Sequence, residues 1–151
     1  MRQVSHFLFT VLGIIFRHPV TGATVIPILP SGEIVLVCRK DNGKWGLPGG
    51  MINWGEEVSE AAKRELWEET GLNLITISRL VGVYSKRDRD PRLHSISILV
   101  EAEVDGSLKV QDSLEISQVK AFTLETIPFG NLAHDHEQQI KDFLAKKTIL
   151  A

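Results

Sequence analysis

Apolar positions in the first third of the chain come in short runs broken by turn residues. Residues 7–16, 23–29 and 33–39 are rich in β-branched, aromatic and other apolar side chains, and each is read as a strand. Pro30, Ser31 and Gly32 separate the last two and predict a hairpin turn. Residues 41–50 mix glycine with polar side chains and end in Leu47-Pro48-Gly49-Gly50, which reads as an irregular loop. The pattern then changes. Ala61, Ala62, Lys63, Glu65 and Leu66 are good helix formers and Gly71 supplies a stop, so a helix is predicted over residues 58–70. Further strands are expected over 74–85, 94–104 and 116–123, with a charged break at 86–92 and a hairpin signal at Asp105-Gly106. Residues 136–147 read as a closing amphipathic helix with Ile140, Phe143 and Leu144 on one face. This succession predicts an α/β domain over residues 1–151, with a mixed sheet covered by helices on its faces.

Composition narrows the function more than the fold. With 43% hydrophobic and 24% charged residues in 151, the chain has the balance of an ordinary packed domain. A formal net charge of -2 argues against nucleic acid or an anionic membrane as partner and in favour of a small molecule. Cys38, the one cysteine, lies in an apolar run and has no internal disulfide partner, which suits a reducing compartment. The apolar run 7–16 is shorter than the roughly 20 residues that span a bilayer. Arg17, His18 and Pro19 follow it without a small-residue cleavage site, so it is read as a strand rather than an export signal. A cytoplasmic location is expected by elimination.

The chemistry concentrates on the predicted helix. Glu65, Glu68 and Glu69 are spaced i, i+3 and i+4 and project from one side. On a helical wheel they share an arc with Val58, Ala61 and Ala62, while Glu60, Lys63 and Trp67 point the other way. Acids on the inner side need a reason, since two like charges about 4 Å apart repel by roughly 4 kcal/mol at an effective dielectric of 20. A bound cation removes the conflict, and all-oxygen ligands favour Mg²⁺, with Mn²⁺ as a substitute, over zinc. The competing explanation is a charged surface helix with i to i+4 pairing such as Arg64 to Glu68.

Residues around the helix bear on that choice. Five residues separate Gly50 from Glu56, and seven more lead to Arg64-Glu65-Leu66, followed by Trp67, Glu68, Glu69, Thr70, Gly71 and Leu72. This 23-residue stretch resembles the box of the Nudix hydrolase family at every fixed position. The resemblance implies a Nudix-type α/β/α sandwich whose loop, helix and loop hold divalent ions. It assigns the metal to Glu65, Glu68 and Glu69, with help from Glu56 and from the backbone carbonyl of Gly49 or Gly50. It makes Arg64 the partner that orients a metal-binding glutamate. The implied reaction is attack by water on a phosphorus of a diphosphate linkage, with Glu69 the first choice of general base and Glu115 the alternative. Homodimerisation, with residues 7–16 contributing to the interface, is a further expectation from the family.

The box does not choose the substrate. Asp88-Arg89-Asp90-Pro91-Arg92 before a strand resembles the ADP-ribose pyrophosphatase branch, as does Leu132 to Gln139, where Asp135-His136 opens the last helix. That branch usually carries a proline at the position of Asp88, and here proline comes three residues later, at Pro91. ADP-ribose is the expected substrate, giving AMP and ribose 5-phosphate, with related adenine dinucleotides such as FAD or NADH beside it. Oxidised or ordinary nucleoside triphosphates are the alternative, and a non-catalytic nucleotide-binding module is the rival from outside enzymology. Arg39, Arg87, Arg89 and Arg92 are the candidate phosphate or ribose contacts. Trp45 and Tyr84 are candidates to stack on a base, with core packing favoured for Trp45. His134 and His136 are too sparse for a metal site and are read as a helix start capped by Asp135.

Overall fold

The structure, a computed structural model, describes residues 18–91 and 93–151. The strand expected over residues 7–16 and the candidate contact Arg92 lie outside the described residues. Among the described residues the elements follow in the order β1 (Val20–Ile28), β2 (Ile34–Arg39), β3 (Trp45–Gly46), β4 (Gly49–Met51), α1 (Val58–Thr70), β5 (Leu72–Tyr84), β6 (Ser95–Gly106), β7 (Ile116–Phe122), α2 (His136–Leu144) and β8 (Ile149–Leu150). A 3-10 turn, Arg87–Arg89, lies in the charged connection between β5 and β6.

The sheet is mixed. Its main path runs β3-β2-β1-β6-β5-β8, with β4 paired to β1 and β7 paired to β2. Strands β1 and β6 are parallel over nine residue pairs, whereas β5 and β6 are antiparallel. Both faces of the central strands are covered, which is why they read as unbroken apolar runs. Ala23, Val25, Val35, Val100, Ala102 and Val104 pack on one face against Ala61, Ala62 and Leu66 of α1. Ile26, Ile34, Leu36 and Leu99 alternate to the other face, where they meet Ile140 of α2. Among the described residues no helix is long and apolar enough to cross a membrane.

Helix α1 has the ends its sequence predicts. Glu60 reaches back to the Glu57 N–H at 3.0 Å, and Gly71 turns at φ 74° with its N–H donating to Trp67 O at 2.8 Å. Ala61 and Ala62 are fully buried, so small side chains bring the helix close to β1 and β4.

Two expectations need correction. Asp105-Gly106 ends β6 without making a hairpin, because β6 is interior, flanked by β1 and β5, and the next strand pairs with β2. The chain instead crosses to the C-terminus of α1. There Lys109 donates to Thr70 O at 2.8 Å, and Gln111 and Asp112 donate to Glu68 O at 3.0 and 2.7 Å. Residues 41–50 are also not wholly irregular, since they contain β3 and the start of β4.

Candidate active site

A cleft of about 470 Å³ opens beside β4, walled by β1, β6, the C-terminal half of α1 and the start of α2. Acids line one side: Glu65, Glu68, Glu69, Asp112 and Glu115. The last two reach it because residues 107–115 are tied to the end of α1 by the three backbone bonds just described. Thr24, Ser95 and Ser97 line the strand wall, and Thr24 Oγ1 bonds Ser97 Oγ at 2.9 Å.

Glu69 is the most deeply placed of the acids, with only 5% of its surface exposed. Its Oε2 accepts the Gly49 N–H at 2.9 Å, and no other hydrogen bond reaches this carboxylate among the described residues. Burial pushes its pKa up to about 8, against the pull of the Gly49 amide and Arg39; Glu65 and Glu115 push the same way as burial. Desolvation likewise raises Glu65, although Arg64 opposes it. These carboxylates are held where ionisation is costly, as the inward placement on the helical wheel requires.

Arg64 organises the rest. Its Nε and Nη2 form a two-pronged pair with Glu56 at 2.8 and 2.9 Å, and Nη2 also donates to Met51 O at 3.0 Å. Nη1 meets Glu65 Oε1 at 2.6 Å and Glu68 Oε2 at 3.4 Å. Glu56 has both oxygens engaged, since Oε2 accepts the Asn53 N–H at 2.8 Å as well. Arg64 therefore holds the Glu56 carboxyl down at about pKa 2. Glu56, expected as a helper at the metal, anchors Arg64 through both of its oxygens and is not among the residues lining the cleft.

Gly50 lies where the sequence pattern puts it, under the acids. A Cβ there would overlap the Glu65 carboxylate, and the Gly50 carbonyl crosses closely over Gly22 of β1. Gly50→Ala is expected to displace Glu65 and lower kcat by about 100-fold, the scale of a misplacement near 1 Å, with a smaller change in Tm. Steady-state kinetics beside a thermal melt separates the two effects.

The arginines divide. Arg39 and Arg89 line the cleft, whereas Arg87 does not. Arg39 is paired with Asp41 at 3.0 and 2.9 Å. Arg89, its side chain 9% exposed, is held by Asp135 through two bonds of 3.0 Å and by Ser95 Oγ at 2.5 Å. Asp135 stands at the N-cap position of α2 without capping it, because its carboxylate is taken by Arg89 and by Gln139 Nε2. Trp45 packs edge-on against Phe122 at 5.0 Å. Tyr84 is buried in the core with its hydroxyl donating to Asp142 at 3.0 Å, so it offers no face for a base.

Sequence reading missed His136, which lines the cleft and accepts the Leu47 N–H at Nδ1, 3.0 Å away. It also passed over Thr24 and Ser97. A polar residue inside each of two buried strands was the available signal.

Whether the acids fit a divalent cation is decided by their donor set and their electrostatics. Among the described residues no three acidic, histidine or cysteine side chains are already gathered around one point. Arg64 draws Glu65 and Glu68 partly aside, while Glu69 stays buried without a cationic hydrogen-bond partner. Glu65, Glu68, Glu69 and Gly50 together line one wall with oxygen donors. That set of oxygen ligands suits a hard ion such as Mg²⁺, and the burial that raises the Glu69 pKa is a cost a bound cation would offset.

Residues 18–146 match the family described as NUDIX domain. An ADP-ribose pyrophosphatase of Methanocaldococcus jannaschii is 42% identical over 137 residues, covering 88% of this chain and 78% of that protein. An oxidized purine nucleoside triphosphate hydrolase of Mus musculus is 28% identical over 127 residues, covering 82% and 80%. The NUDIX domain of Shewanella oneidensis NrtR, solved with ADP ribose, superposes with a TM-score of 0.76 at 24% identity, over 88% of this chain and 91% of that one; at this identity the likeness is one of fold.

Proposed function

The chain belongs to the Nudix family of hydrolases, and from that premise we propose that its cleft hydrolyses ADP-ribose to AMP and ribose 5-phosphate with the help of Mg²⁺. One observation carries the mechanism: Glu69 is a buried carboxylate on the cleft wall, fixed through Oε2 by the Gly49 amide. The 42% identity to a named ADP-ribose pyrophosphatase supports the choice of substrate.

In this reading Glu65, Glu68 and Glu69, with the Gly50 carbonyl, would hold the cation. When bound, Mg²⁺ neutralises diphosphate oxygens and lowers the pKa of the attacking water. Glu69 Oε1, the oxygen not occupied by Gly49, is the atom that takes the proton from water. The water oxygen bonds to one phosphorus, the bridging P–O bond breaks, and the leaving phosphate carries away the electron pair and a proton. Arg64 keeps Glu65 oriented from the side away from the substrate, and Glu115 adds negative charge beside Glu69. Arg39 and Arg89 stand on the cleft walls as candidate contacts for phosphate or ribose.

A second reading has its own support, because a triphosphate hydrolase is also among the relatives. The two differ in products. Incubation with Mg²⁺ and a panel of nucleoside diphosphate derivatives and triphosphates, followed by chromatography, is expected to give AMP and ribose 5-phosphate from ADP-ribose. Release of pyrophosphate from a triphosphate with ADP-ribose untouched would reject the substrate assignment. Omitting the metal is expected to abolish turnover in either case.

A further inference from the structure

Residues 45–50 form the strip that brings the Gly49 amide to Glu69. Trp45 anchors one end, donating to Asn131 O at 3.1 Å and accepting from Ala133 at 2.7 Å. Pro48 has no N–H, and its carbonyl accepts from Val25 at 2.9 Å. Between these anchors Leu47, itself 3% exposed, donates its N–H to His136 Nδ1 at 3.0 Å. Leu47 and Gly49 are two residues apart, and their amides end respectively on His136 and on Glu69. A side chain from α2 thus fixes the same strip that a side chain from α1 uses.

The imidazole has little room to drift. A Cβ on Gly46 would lie 2.7 Å from His136 Nδ1 and 3.1 Å from Cε1, so the ring rests directly on the strip's backbone. His136 is also the first residue of α2, and its own N–H donates to Ala133 O at 3.1 Å. Ala133 in turn donates to Trp45, which closes a loop of contacts between the helix start and the strip.

We propose that His136 is a positioning residue: by holding the Leu47 amide at Nδ1 it sets where the Gly49 amide meets Glu69. The claim rests on the reading of Glu69 given above. Accepting at Nδ1 requires the neutral ring with its proton on Nε2. Burial supports that state, pushing the His136 pKa down to about 4; Asp135 opposes it, while His134, Arg89 and Arg39 act with it.

Two variants separate positioning from mere packing. His136→Asn keeps an acceptor close to the place of Nδ1, whereas His136→Leu keeps bulk and removes the acceptor. With ADP-ribose and Mg²⁺, the asparagine variant is expected to hold kcat within about threefold of wild type. The leucine variant is expected to lose about tenfold or more in kcat with KM little changed, because the strip moves relative to Glu69. Amide resonances of Leu47 and Gly49 give a readout without turnover. Both are expected to shift and exchange faster with leucine and to stay near wild type with asparagine. A Gly49 amide unmoved in the leucine variant overturns the proposal even if activity falls, and so does asparagine behaving like leucine. Should leucine unfold the domain, His136→Gln, whose acceptor stands one bond further out, takes its place with the same expected loss. If the wild-type protein cleaves no nucleoside diphosphate derivative, the functional reading fails while the amide shifts still decide the role of His136.

Discussion

Glu69→Gln is expected to lower kcat on ADP-ribose by about 100- to 10,000-fold, the range for removing a group that accepts a proton in the transition state. Glutamine is nearly the same size and can still accept the Gly49 N–H, so the local fold should survive. What disappears is the negative charge. The effect on stability should therefore run opposite to the effect on activity. In the metal-free protein the Glu69 pKa stands at about 8, above its ordinary 4.5. Stability associated with this group is thus fully present below about pH 4.5 and falls as pH rises through 8, where a buried carboxylate is forced to ionise. The glutamine variant escapes that penalty, so its metal-free Tm should match or exceed wild type at alkaline pH. Mg²⁺ should raise the Tm of wild type and do much less for the variant. Since the cation favours the ionised form, wild-type activity with Mg²⁺ is expected to climb with pH and level off below the metal-free value of about 8. Thermal melts with and without Mg²⁺ across this range, beside kcat measurements, check all three outcomes; unchanged turnover in the variant would remove Glu69 from the chemistry.

Arg64→Met should produce the second-largest effect. Methionine keeps an apolar stem but deletes the donors that serve Glu56, Glu65, Glu68 and Met51 O. Loss of a partner that orients a metal-binding side chain typically reduces metal affinity or activity by about 10- to 100-fold. The same range is expected here for kcat/KM. Stability should fall as well, with its own pH signature. The Glu56 pKa is depressed to about 2, so its pairing contributes stability above its ordinary 4.5 that is lost as pH falls towards 2. In the methionine variant this acid-side loss should largely vanish, because near-neutral stability is already reduced. Arg64→Lys is the useful companion: it keeps the charge but cannot make the two-pronged contact with Glu56, and it should recover only part of the activity. A lysine variant with full activity would mean that charge alone, not the fork geometry, holds Glu65.

The parts legible in the sequence were those governed by local rules. Helix α1 was readable from its run of good helix formers and from the left-handed turn at Gly71, signals that act within a few residues. The inward arc of Glu65 and Glu69 follows from helical periodicity, and the buried alanines on the same side explain how close the acids come to the sheet. What escaped were relations between distant segments. Asp105-Gly106 has the chemistry of a hairpin turn, but β6 was already flanked by β1 and β5, so no following strand could fold back onto it. Strands β3 and β4 are two and three residues long, too short for any periodicity to register. Arg89 looked free to meet a phosphate because its partner Asp135 lies 46 positions away. The same distance in sequence hid the bond from Leu47 to His136, 89 positions apart. Glu56 shows a subtler limit. Its spacing fits the family pattern, yet only the three-dimensional arrangement shows that both of its oxygens pair with Arg64.

All of this depends on whether the acids on α1 gather around a cation. Diffraction from crystals equilibrated with Mn²⁺, collected at a wavelength where manganese scatters anomalously, tests that directly. A peak within coordination distance of Glu65, Glu68 and Glu69 and of the Gly50 carbonyl is expected, with Glu56 still on Arg64. A map with no peak in the cleft, and Glu69 still bound only to the Gly49 amide, would contradict it.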